Sequence, residues 1–269
     1  LRLCTRVPDL NKPSVTQKVF SLASNHSNFR KTPQRNRLIS ALSKTNKSKF
    51  TNKEIVSISG VSAAVIATAA RNGLLNEELI PRDRPYPALN PDFKPKRLNP
   101  NQTSVCETVR DLQKQNSFSA ILLQGVTGSG KTEVYLESVA NALRKGEQVL
   151  VLLPEIALTS EFFNRVKNRF GENPAEWHSG VTLAERRRVW KMVASGGAKL
   201  VIGARSALFL PFMNLGLVIV DEEHDHSYKQ EDGVIYNARD MAVLRSSIER
   251  STVILASATP SLESWVNAK

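Results

Sequence analysis

The sequence predicts an α/β fold, in which a parallel sheet with helices on both faces follows a smaller, basic domain. Two observations predict it. From residue 119 onwards, short and nearly continuous apolar runs alternate with amphipathic helical patterns, as in parallel sheets whose two faces are both covered. The charge is also divided, because residues 1–100 hold 18 Lys and Arg against 6 Asp and Glu, whereas residues 101–269 hold 19 of each. Two domains fit both this division and the length of 269 residues.

The apolar runs and helical patterns of the second region define its expected elements. Strands are expected at residues 120–123, 148–153, 199–202, 217–220 and 252–256, with an ambiguous segment at 176–178. Helices are expected at residues 104–114, 133–143, 159–170, 182–194 and 239–250. Because ligands of such sheets lie at the carboxyl ends of the strands, the loops that follow the strands are the candidate sites.

A glycine-rich loop follows the first of these strands. Its residues 125–132, GVTGSGKT, match the phosphate-loop pattern G-x-x-x-x-G-K-[ST] at every specified position. Backbone N–H groups in such a loop, together with the N-terminus of the next helix, bind the phosphates of a nucleoside triphosphate. Lys131 is expected to reach the β- and γ-phosphates, and Thr132 to bind Mg²⁺. The alternative is a glycine- and serine-rich turn that ends in Lys-Thr by chance. The expected nucleotide-binding residues of the loop are Gly125, Val126, Thr127, Gly128, Ser129, Gly130, Lys131 and Thr132.

An acidic segment, Asp221-Glu222-Glu223-His224, directly follows the strand expected at 217–220. A carboxylate at this edge of a sheet can complete a nucleotide site, so Asp221 is expected to hold Mg²⁺, usually through water. Glu222 is expected to polarise the attacking water as general base. His224 is expected to sense the γ-phosphate or to connect the site to nucleic acid. The alternative is a solvated acidic turn. Lys131, Asp221 and Glu222 are thus the candidate catalytic residues.

Two other polar segments are candidates for the same site. Gln102 precedes the strand of the phosphate loop, where its amide could read the edge of adenine, although a helix-capping surface role is the alternative. Ser257 and Thr259 belong to a hydroxyl-rich turn, Ser257–Pro260, that follows the strand at 252–256. Such a turn could bridge the acidic segment to a bound strand of nucleic acid.

Residues 1–80 are expected to form a winged-helix-like basic domain, of which the sequence defines residues 1–30 poorly. The order of helix, short helix, glycine turn, helix and strand is typical of a winged helix-turn-helix. The alternative is a small helical packing domain that binds a protein. The expected elements are a short helix at 15–23, a helix that begins at Thr32-Pro33, a second that begins with a Thr51/Glu54 capping box, a third at 63–71 and a strand at 74–80.

The third helix of this region is poorly equipped to read bases, because its face is mostly Ala and Val. Any DNA contact is expected to be made to phosphate, through Lys44, Lys47, Lys49, Lys53 and Arg71. Residues 81–100 then contain six prolines and no periodicity. An extended linker, laid over a surface, is therefore expected at 81–98.

Composition excludes several other classes of protein. No apolar run approaches the ~20 residues that a membrane-spanning helix needs. The two cysteines, Cys4 and Cys106, lie far apart without zinc spacing, so neither a disulfide framework nor a metal site is expected, and a reducing compartment is the default. The N-terminus shows neither an initiator Met nor a signal-peptide pattern, so we expect the chain to be part of a longer protein.

Longer strings accompany these motifs in a fixed order. They are LLPEIALT (152–159), HSG with Glu185-Arg186 (178–186), IGARSALFLPF (202–212), DEEHDHSYKQ (221–230) and YNARD (236–240). With GVTGSGKT and SATPS, they resemble the first motor lobe of a superfamily 2 helicase with a DEAH-type box, here DEEH. The closer resemblance is to the primosomal replication-restart helicases, and it covers most of residues 99–265.

The resemblance implies a RecA-like lobe at 99–269 that uses ATP and Mg²⁺, with Gln102 on the adenine side. Zinc is expected only in a part of such proteins that lies outside this chain. Bases of a single strand would stack on aromatic side chains of the segment after the acidic motif, independently of sequence. The residues to which the resemblance assigns DNA-binding or coupling roles are Glu155, Arg205, Ser206, His224, Tyr228, Lys229, Tyr236, Arg239, Ser257 and Thr259.

The resemblance further implies an ATP-dependent 3′–5′ DNA helicase that restarts stalled replication forks and assembles the primosome. Its expected partners are single-stranded and forked DNA, primosome proteins and single-strand-binding protein, with no membrane. The expected location is the bacterial cytoplasm at the nucleoid, with a plastid homologue as the alternative. These 269 residues hold neither a second motor lobe with its arginine finger nor a domain for DNA 3′ ends, so the isolated chain is expected to be nearly inactive.

Two alternatives to a helicase remain open at this point. One is a winged-helix DNA-binding or partner-docking module whose motor lobe is not itself active. The other is a P-loop kinase or another NTPase that acts on a small substrate, against which the strings DEEH and SATPS argue.

Overall fold

The structure is a computed structural model that describes residues 16–24, 32–45, 48–81, 85–115 and 117–268. These residues form two compact units, residues 16–81 and residues 85–268. In the described ranges no single helix is long and apolar enough to cross a membrane. Only the helices Asn52–Ser59 and Ala63–Arg71 pass that test, and then only as a pair bent by 113°.

The smaller unit combines three helices with a three-stranded antiparallel sheet of order β2-β1-β3. Its elements are β1 (Thr16–Leu22), α1 (Pro33–Ser43), β2 (Phe50–Thr51), α2 (Asn52–Ser59), α3 (Ala63–Arg71) and β3 (Leu75–Pro81). The helices and the sheet share one apolar core, because each contributes side chains that are at most 5% exposed. Among them are Phe20, Leu38, Leu42, Ile55, Ile66 and Leu74.

The helix starts expected in this unit are confirmed. The side chain of Thr32 accepts a hydrogen bond from the N–H of Arg35, with Pro33 in the first turn of α1. Thr51 and Glu54 form the reciprocal capping box of α2. Each cap satisfies backbone N–H groups that have no partner inside the helix, which is why these short helices begin where the sequence places them.

The short helix expected at 15–23 is wrong, because the described part of that segment is the strand β1. It pairs with β3 along its whole length, from Thr16 opposite Pro81 to Leu22 opposite Leu75. Val19 and Phe20 are buried in the pairing. The pairing partner lies far along the chain, so no local periodicity announces it. The sheet therefore includes β1, which precedes α1, and the short β2, whereas the sequence predicted only the strand after α3.

The larger unit is built on a six-stranded parallel sheet of order β4-β11-β8-β5-β7-β6. Its helices are α4 (Pro100–Lys114), α5 (Lys131–Arg144), α6 (Ser160–Phe170), α7 (Leu183–Ala194), α8 (Ala238–Glu249) and α9 (Leu262–Asn267). The sheet strands are β4 (Ser119–Gln124), β5 (Gln148–Leu152), β6 (Ala175–Trp177), β7 (Leu200–Gly203), β8 (Leu215–Asp221) and β11 (Thr252–Ser257). A separate hairpin pairs β9 (Lys229–Gln230) with β10 (Tyr236–Asn237). The expected α/β class is confirmed.

Helices cover both faces of this sheet, and each face has its own apolar core. On one face, side chains of α4, α5 and α6 pack against alternate residues of the strands, such as Val151 and Ile219. On the other face, α7 and α8 pack against the intervening residues, such as Leu152 and Val220. Successive side chains of a strand point to opposite faces, so double burial requires the continuous apolar runs that the sequence shows.

The proline-rich segment 85–98 contains neither helix nor strand and packs on the larger unit. The N–H of Asn90 donates to the carbonyl of Phe170 at 2.9 Å. The Tyr86 hydroxyl donates to Glu185 at 2.6 Å, and the ring lies under the guanidinium of Arg188. The compact units divide between Arg84 and Pro85, so these residues of the expected linker lie with the larger unit.

Candidate active site

The glycine-rich loop joins β4 to α5 and is held by neighbouring elements at both ends. The N–H of Gly125 donates to Ser257 O at 3.2 Å, and Gln102 Nε2 donates to Ser129 O at 2.9 Å. Gly130, which precedes α5, has a φ of 86°, a conformation that favours glycine. A Cβ at Gly130 would also collide with the side chain of Gln102. The course of the loop therefore depends on glycine, and it leads the chain directly into the N-terminus of α5.

Lys131 is the first residue of α5, and its side chain folds back over the loop. Its Nζ donates to Gly125 O at 2.8 Å and lies 3.5 Å from Val126 O. The same charge acts to lower the pKa of the Asp221 carboxyl. The loop lysine and the acidic edge thus lie within electrostatic reach of each other, as a site for a triphosphate and its cation requires.

Asp221 ends β8 and has both carboxylate oxygens engaged. Its Oδ2 accepts a hydrogen bond from the Tyr135 hydroxyl at 2.9 Å, and its Oδ1 accepts one from the N–H of Glu222 at 3.1 Å. Glu222 has a φ of 48°, in the left-handed region, which costs a residue other than glycine about 1–3 kcal/mol. That turn lets the Glu222 N–H reach back to the preceding side chain.

Burial is the main influence on the pKa values in this site. Burial raises the pKa of Asp221, and the charge of Glu222 adds to the rise, while the hydrogen bond from Tyr135 and the charge of Lys131 oppose it. Burial and the charge of Asp221 raise the pKa of Tyr135 well above its usual value. Tyr135 is therefore a neutral hydrogen-bond donor to a carboxylate that is costly to leave without a partner.

Tyr135 is a site residue that the sequence analysis missed. It follows Lys131 by one helical turn, is fully buried, and reads as one apolar position of α5. Its hydroxyl donates a hydrogen bond to Asp221 at 2.9 Å. The available signal was a tyrosine on the apolar face of α5, where an aliphatic residue would pack equally well. A buried tyrosine hydroxyl usually needs a hydrogen-bond partner, and here that partner is Asp221.

The side chains present fit a bound Mg²⁺. Thr132 and Asp221, which the sequence proposed as its ligands, are connected through α5: Thr132 stands in its first turn, and Tyr135, three residues later, donates its hydroxyl to Asp221. A hydroxyl and a carboxylate are the oxygen ligands that Mg²⁺ prefers. In the described ranges, at this site as elsewhere, no group of three or more His, Cys, Asp or Glu side chains could hold a metal ion, so the site would use a hydroxyl beside its carboxylate.

Gln102 lies inside the first turn of α4, whereas the sequence placed it just ahead of the helix. Its Oε1 accepts the N–H of Asn99 at 2.9 Å, and its N–H donates to Asn99 Oδ1, which makes a capping box. Its Nε2 holds the phosphate loop through Ser129. The capping alternative is thus borne out, while the role on the adenine side stays a prediction.

His224 and Ser257 connect the acidic segment to the strand β11. His224 Nδ1 lies 2.7 Å from Ser257 Oγ, and that oxygen also accepts the N–H of Thr259 at 3.1 Å. Ser257 is fully buried, so it bridges the acidic segment to its own turn and presents no surface to nucleic acid. Thr259, by contrast, is exposed.

Arg239 forms a buried network with Glu223, the third residue of the acidic segment. Arg239 Nη1 lies 3.3 Å from Glu223 Oε2 and donates to Ser261 Oγ at 2.6 Å, while its Nε donates to Asp240 at 2.7 Å. Glu223 also accepts the Ser261 N–H at 2.7 Å and the Ser264 hydroxyl at 2.8 Å. With these partners and only 8% exposure, Arg239 is not a surface contact for DNA, and a direct role of that kind is wrong.

Tyr228 is 1% exposed, so the expectation that bases stack on it is also wrong. Its hydroxyl lies 2.6 Å from Asp221 O and 3.0 Å from Leu152 O. The ring packs in the apolar core on the α7 and α8 face of the sheet. Tyr228 therefore anchors the main chain at the end of β8, next to the neighbouring strand β5.

The remaining candidate contacts to nucleic acid follow the carboxyl ends of parallel strands, so the fold brings them to one edge of the sheet. Arg205 Nη1 donates to Ser227 O at 3.1 Å and to Lys229 O at 2.8 Å, which links the turn after β7 to the segment after β8. Ser206 Oγ accepts the indole N–H of Trp177 at 3.2 Å. Three others also lie there: exposed Glu155 in a 3₁₀ turn after β5, exposed Lys229, and half-buried Tyr236 packed edge-on against Phe209.

The candidate phosphate contacts of the smaller unit are placed less uniformly. Lys44, Lys53 and Arg71 are exposed. Lys49 forms an ion pair with Glu78 at 2.7 Å, so part of its charge is already compensated. Lys47 lies outside the described residues, as does Cys4.

A cavity of about 820 Å³ lies between α5, α6 and the segment at Lys94–Lys96. Glu133, in the first turn of α5, lines it and pairs with Lys96 at 2.8 Å and with Arg165. Neither Lys131 nor Asp221 lines this cavity. Cavity size therefore does not identify the candidate site, and the chemistry of the loop and the acidic edge does.

A comparison with known protein families covers the residues of this candidate site. A family model described as DEAD/DEAH box helicase matches residues 99–267, which include the phosphate loop, the acidic edge and the turn after β11. The chain belongs to the DEAD/DEAH box helicase family. The expected RecA-like lobe is thereby confirmed, and membership of this family implies the use of ATP and Mg²⁺.

Relatives within the family are replication restart proteins. The chain is 48% identical over 181 residues to the replication restart protein PriA of Rickettsia felis, an alignment that covers 65% of this chain and 28% of that protein. It is 41% identical over 218 residues to PriA of Bacillus subtilis, which covers 80% of this chain and 27% of the relative. The chain thus spans less than a third of these relatives. The resemblance to replication-restart helicases is confirmed.

Among solved structures, the chain is similar to RecG bound to a three-way DNA junction. That similarity has a TM-score of 0.47 and 25% sequence identity, and it covers 65% of this chain and 23% of RecG.

Proposed function

We propose that this chain carries the ATP-binding motor lobe of a 3′–5′ DNA helicase that restarts stalled replication forks and assembles the primosome. One observation carries the proposal: Tyr135 joins the helix of the phosphate loop to Asp221 at the acidic edge. The replication restart proteins to which the chain is similar support the choice of forks as the setting.

Each residue of the site has a separate task in this proposal. The loop amides and Lys131 bind the phosphates, and Glu222 orients and deprotonates the attacking water. Mg²⁺, when held by Thr132 and Asp221, neutralises charge on the phosphates. His224 and Glu223 tie the hydrolytic edge to the turn after β11 through Ser257 and Ser261.

DNA contact is proposed along the same edge of the sheet. Single-stranded DNA would run past Glu155, Arg205 and Thr259, and the partly exposed ring of Tyr236 is the aromatic surface that remains for a base now that Tyr228 is excluded. Forked DNA, primosome proteins and single-strand-binding protein are proposed as partners of the whole protein. The proposed location is the bacterial cytoplasm at the nucleoid.

Nucleotide binding tests the proposal directly. We expect a fluorescent ATP analogue to bind the chain in the presence of Mg²⁺, and Lys131→Ala to weaken that binding by about tenfold or more, or ~1.4 kcal/mol. The matched control is Lys114→Ala, which removes an exposed lysine paired with Asp111 at the other end of α4. Equal affinity of wild type and Lys131→Ala for the analogue would reject a nucleotide site at this loop.

A second candidate function is a DNA-binding or partner-docking module in which the smaller, winged-helix-like unit of residues 1–80 does the work. The observation in its favour is that Lys44, Lys53 and Arg71 are exposed. Replacing all three by Gln would then reduce single-strand affinity and flatten its dependence on salt by about 0.7 per lost phosphate contact. An unchanged slope would remove this surface from the list of phosphate contacts.

A further inference from the structure

Tyr135 occupies a position from which one side chain can reach both halves of the nucleotide site. It lies four residues after Lys131 and three after Thr132, so all three project from one side of α5. The ring is fully buried among the apolar residues between α5 and the sheet. Packing on all sides fixes the ring, and the ring in turn fixes the hydroxyl at its tip.

The hydrogen bond from the Tyr135 hydroxyl restrains rotation of the Asp221 carboxylate. Oδ2 is held by Tyr135 at 2.9 Å and Oδ1 by the N–H of Glu222 at 3.1 Å. The carboxylate cannot turn about its bond to Cβ without breaking one of these two hydrogen bonds. The backbone beneath it is held as well, since the Tyr228 hydroxyl lies 2.6 Å from Asp221 O.

We propose that Tyr135 is a positioning residue for the nucleotide-bound divalent cation, which it serves by fixing the Asp221 carboxylate relative to Thr132. The inference rests on the proposed function, because it assigns a partner to the cation site of that function. Groups outside the ligand set that orient a metal ligand are commonly worth about 10- to 100-fold in metal affinity. A tyrosine that only filled space would contribute nothing to the affinity for the cation.

Tyr135→Phe is the variant that separates these two roles, because it keeps the ring and removes the hydroxyl. We expect the Mg²⁺ concentration that gives half-maximal binding of a fluorescent ATP analogue to rise by about tenfold. Binding of the analogue in EDTA, which does not involve the cation, should stay within about twofold of wild type.

Tyr86→Phe is the matched control. Tyr86 also donates its hydroxyl to a carboxylate, Glu185, at 2.6 Å, but it does so in a cavity lined by Glu176 of the last strand, β6, which neither Lys131 nor Asp221 lines. This variant should lose thermal stability as Tyr135→Phe does, yet keep the wild-type Mg²⁺ dependence. A shift that appeared equally in both variants would reflect general loosening of the lobe and would overturn the inference.

The double variant tests the route through Asp221. In an Asp221→Asn background, adding Tyr135→Phe should produce no further shift in Mg²⁺ dependence, whereas an independent role of Tyr135 would add its full effect. If Tyr135→Phe does not fold, wild-type protein labelled with 3-fluorotyrosine provides a second readout. Its four tyrosines can be assigned through Phe variants of Tyr86, Tyr228 and Tyr236, which leaves the ¹⁹F signal of Tyr135 by elimination.

The labelled protein also gives a clear outcome. The Tyr135 signal should move when Mg²⁺ is added to the nucleotide complex, and an unmoved signal would overturn the inference. The proposed function fails in a different way: wild-type protein would then bind no nucleotide, or bind it with no dependence on Mg²⁺ at all.

Discussion

Glu222 and Glu223 are neighbours in one acidic segment, but burial gives their carboxylates different tasks. Glu223 is 2% exposed and its oxygens accept hydrogen bonds from Ser261 and Ser264 as well as from Arg239. Glu222 stands in the left-handed conformation beside Asp221, where its carboxylate is partly exposed. A buried, fully bonded carboxylate holds structure, whereas an accessible one can take a proton from water.

Removal of the guanidinium of Arg239 is predicted to destabilise the lobe strongly. Arg239→Ala leaves the Glu223 carboxylate, which is 0% exposed, without its charged partner, and such a loss costs about 3 kcal/mol or more. Urea unfolding of Arg239→Ala measures this cost, and Arg239→Lys, which keeps a positive charge, should lie between it and wild type. A cost below about 1 kcal/mol would mean that the network carries little energy.

Glu147 is predicted to weaken the lobe at neutral pH. Burial raises the pKa of its carboxyl in the fold, and Lys145 at 3.9 Å only partly opposes the rise. The folded state therefore binds the proton more tightly than the unfolded state, so stability falls as the pH rises from the unfolded pKa through the folded one.

Glu147→Gln keeps the shape of the side chain and removes the charge. It should stabilise the lobe by up to about 1 kcal/mol at about pH 7. It should make little difference at about pH 3, below the ordinary glutamate pKa of about 4.3, where the carboxyl is protonated in both states. Thermal melts of both proteins across this range measure the difference. A stabilisation that persisted undiminished at the acidic end would contradict the pKa argument.

At the scale of the element, α5 shows what the sequence could and could not predict. The helix and the loop before it followed from GVTGSGKT, because that pattern is local and needs only neighbouring residues, although the helix begins at Lys131 and not at the expected residue 133. Its contact with β8 through Tyr135 did not follow, since an apolar face looks the same whether or not one member also donates a hydrogen bond. Local signals thus defined the elements, and the contacts between them required the fold.

Two wrong predictions, for β1 and for Tyr228, also arose because contacts between distant elements are invisible in the local sequence. β1 was expected as a helix because its partner β3 lies far along the chain, and pairing decides the state of a short apolar segment. Tyr228 was expected at the surface because it stands in a polar string, yet its ring lies in the core on the α7 and α8 face of the sheet. In both places tertiary packing, and not the local composition, determines the structure.

Gln148 is predicted to be the most costly polar side chain to remove from the sheet. It begins β5 fully buried, donates to Val193 O and Ala198 O, and accepts the N–H groups of Met213 and Asn214. Gln148→Leu would remove four hydrogen bonds to buried backbone groups, of which the carbonyl of Val193 keeps the N–H of Gly196 as a donor. The expected cost is about 3 kcal/mol or more.

Gln113→Leu is the comparison that makes this prediction specific. Gln113 is also buried, but it makes one side-chain hydrogen bond, to Ser138 O at 3.3 Å, and within the described residues its Oε1 has no partner. Its replacement should cost about 1 kcal/mol or less. Equal losses of unfolding free energy in the two variants would show that hydrogen bonding does not set the difference.

At the scale of the molecule, parallel strands bring distant motifs to one edge. The phosphate loop follows β4, the acidic segment follows β8 and the hydroxyl-rich turn follows β11, and these three strands are neighbours in the sheet. Motifs at residues 125–132, 221–224 and 257–260 therefore meet without any long-range signal beyond strand order. The sequence predicted this edge because the rule for parallel sheets needs only the order of elements.

The chain by itself is predicted to turn over ATP very slowly. The described residues contain one RecA-like lobe, and loss of a transition-state arginine from the partner lobe alone costs about 10³-fold or more in rate. Steady-state hydrolysis should therefore fall below about 0.01 per second and should not respond to single-stranded DNA. Turnover at helicase-like rates would show that one lobe suffices.

The central claim is that one divalent cation sits between the phosphate loop and the acidic edge. A crystal structure with Mn²⁺ and a non-hydrolysable ATP analogue tests it most directly, because anomalous scattering locates the metal. We predict a metal peak within about 2.5 Å of the Thr132 hydroxyl, with Asp221 bound directly or through one water and the Lys131 ammonium on the terminal phosphate. A nucleotide found in the cavity beside Lys94–Lys96, or a metal away from Asp221, would contradict the account.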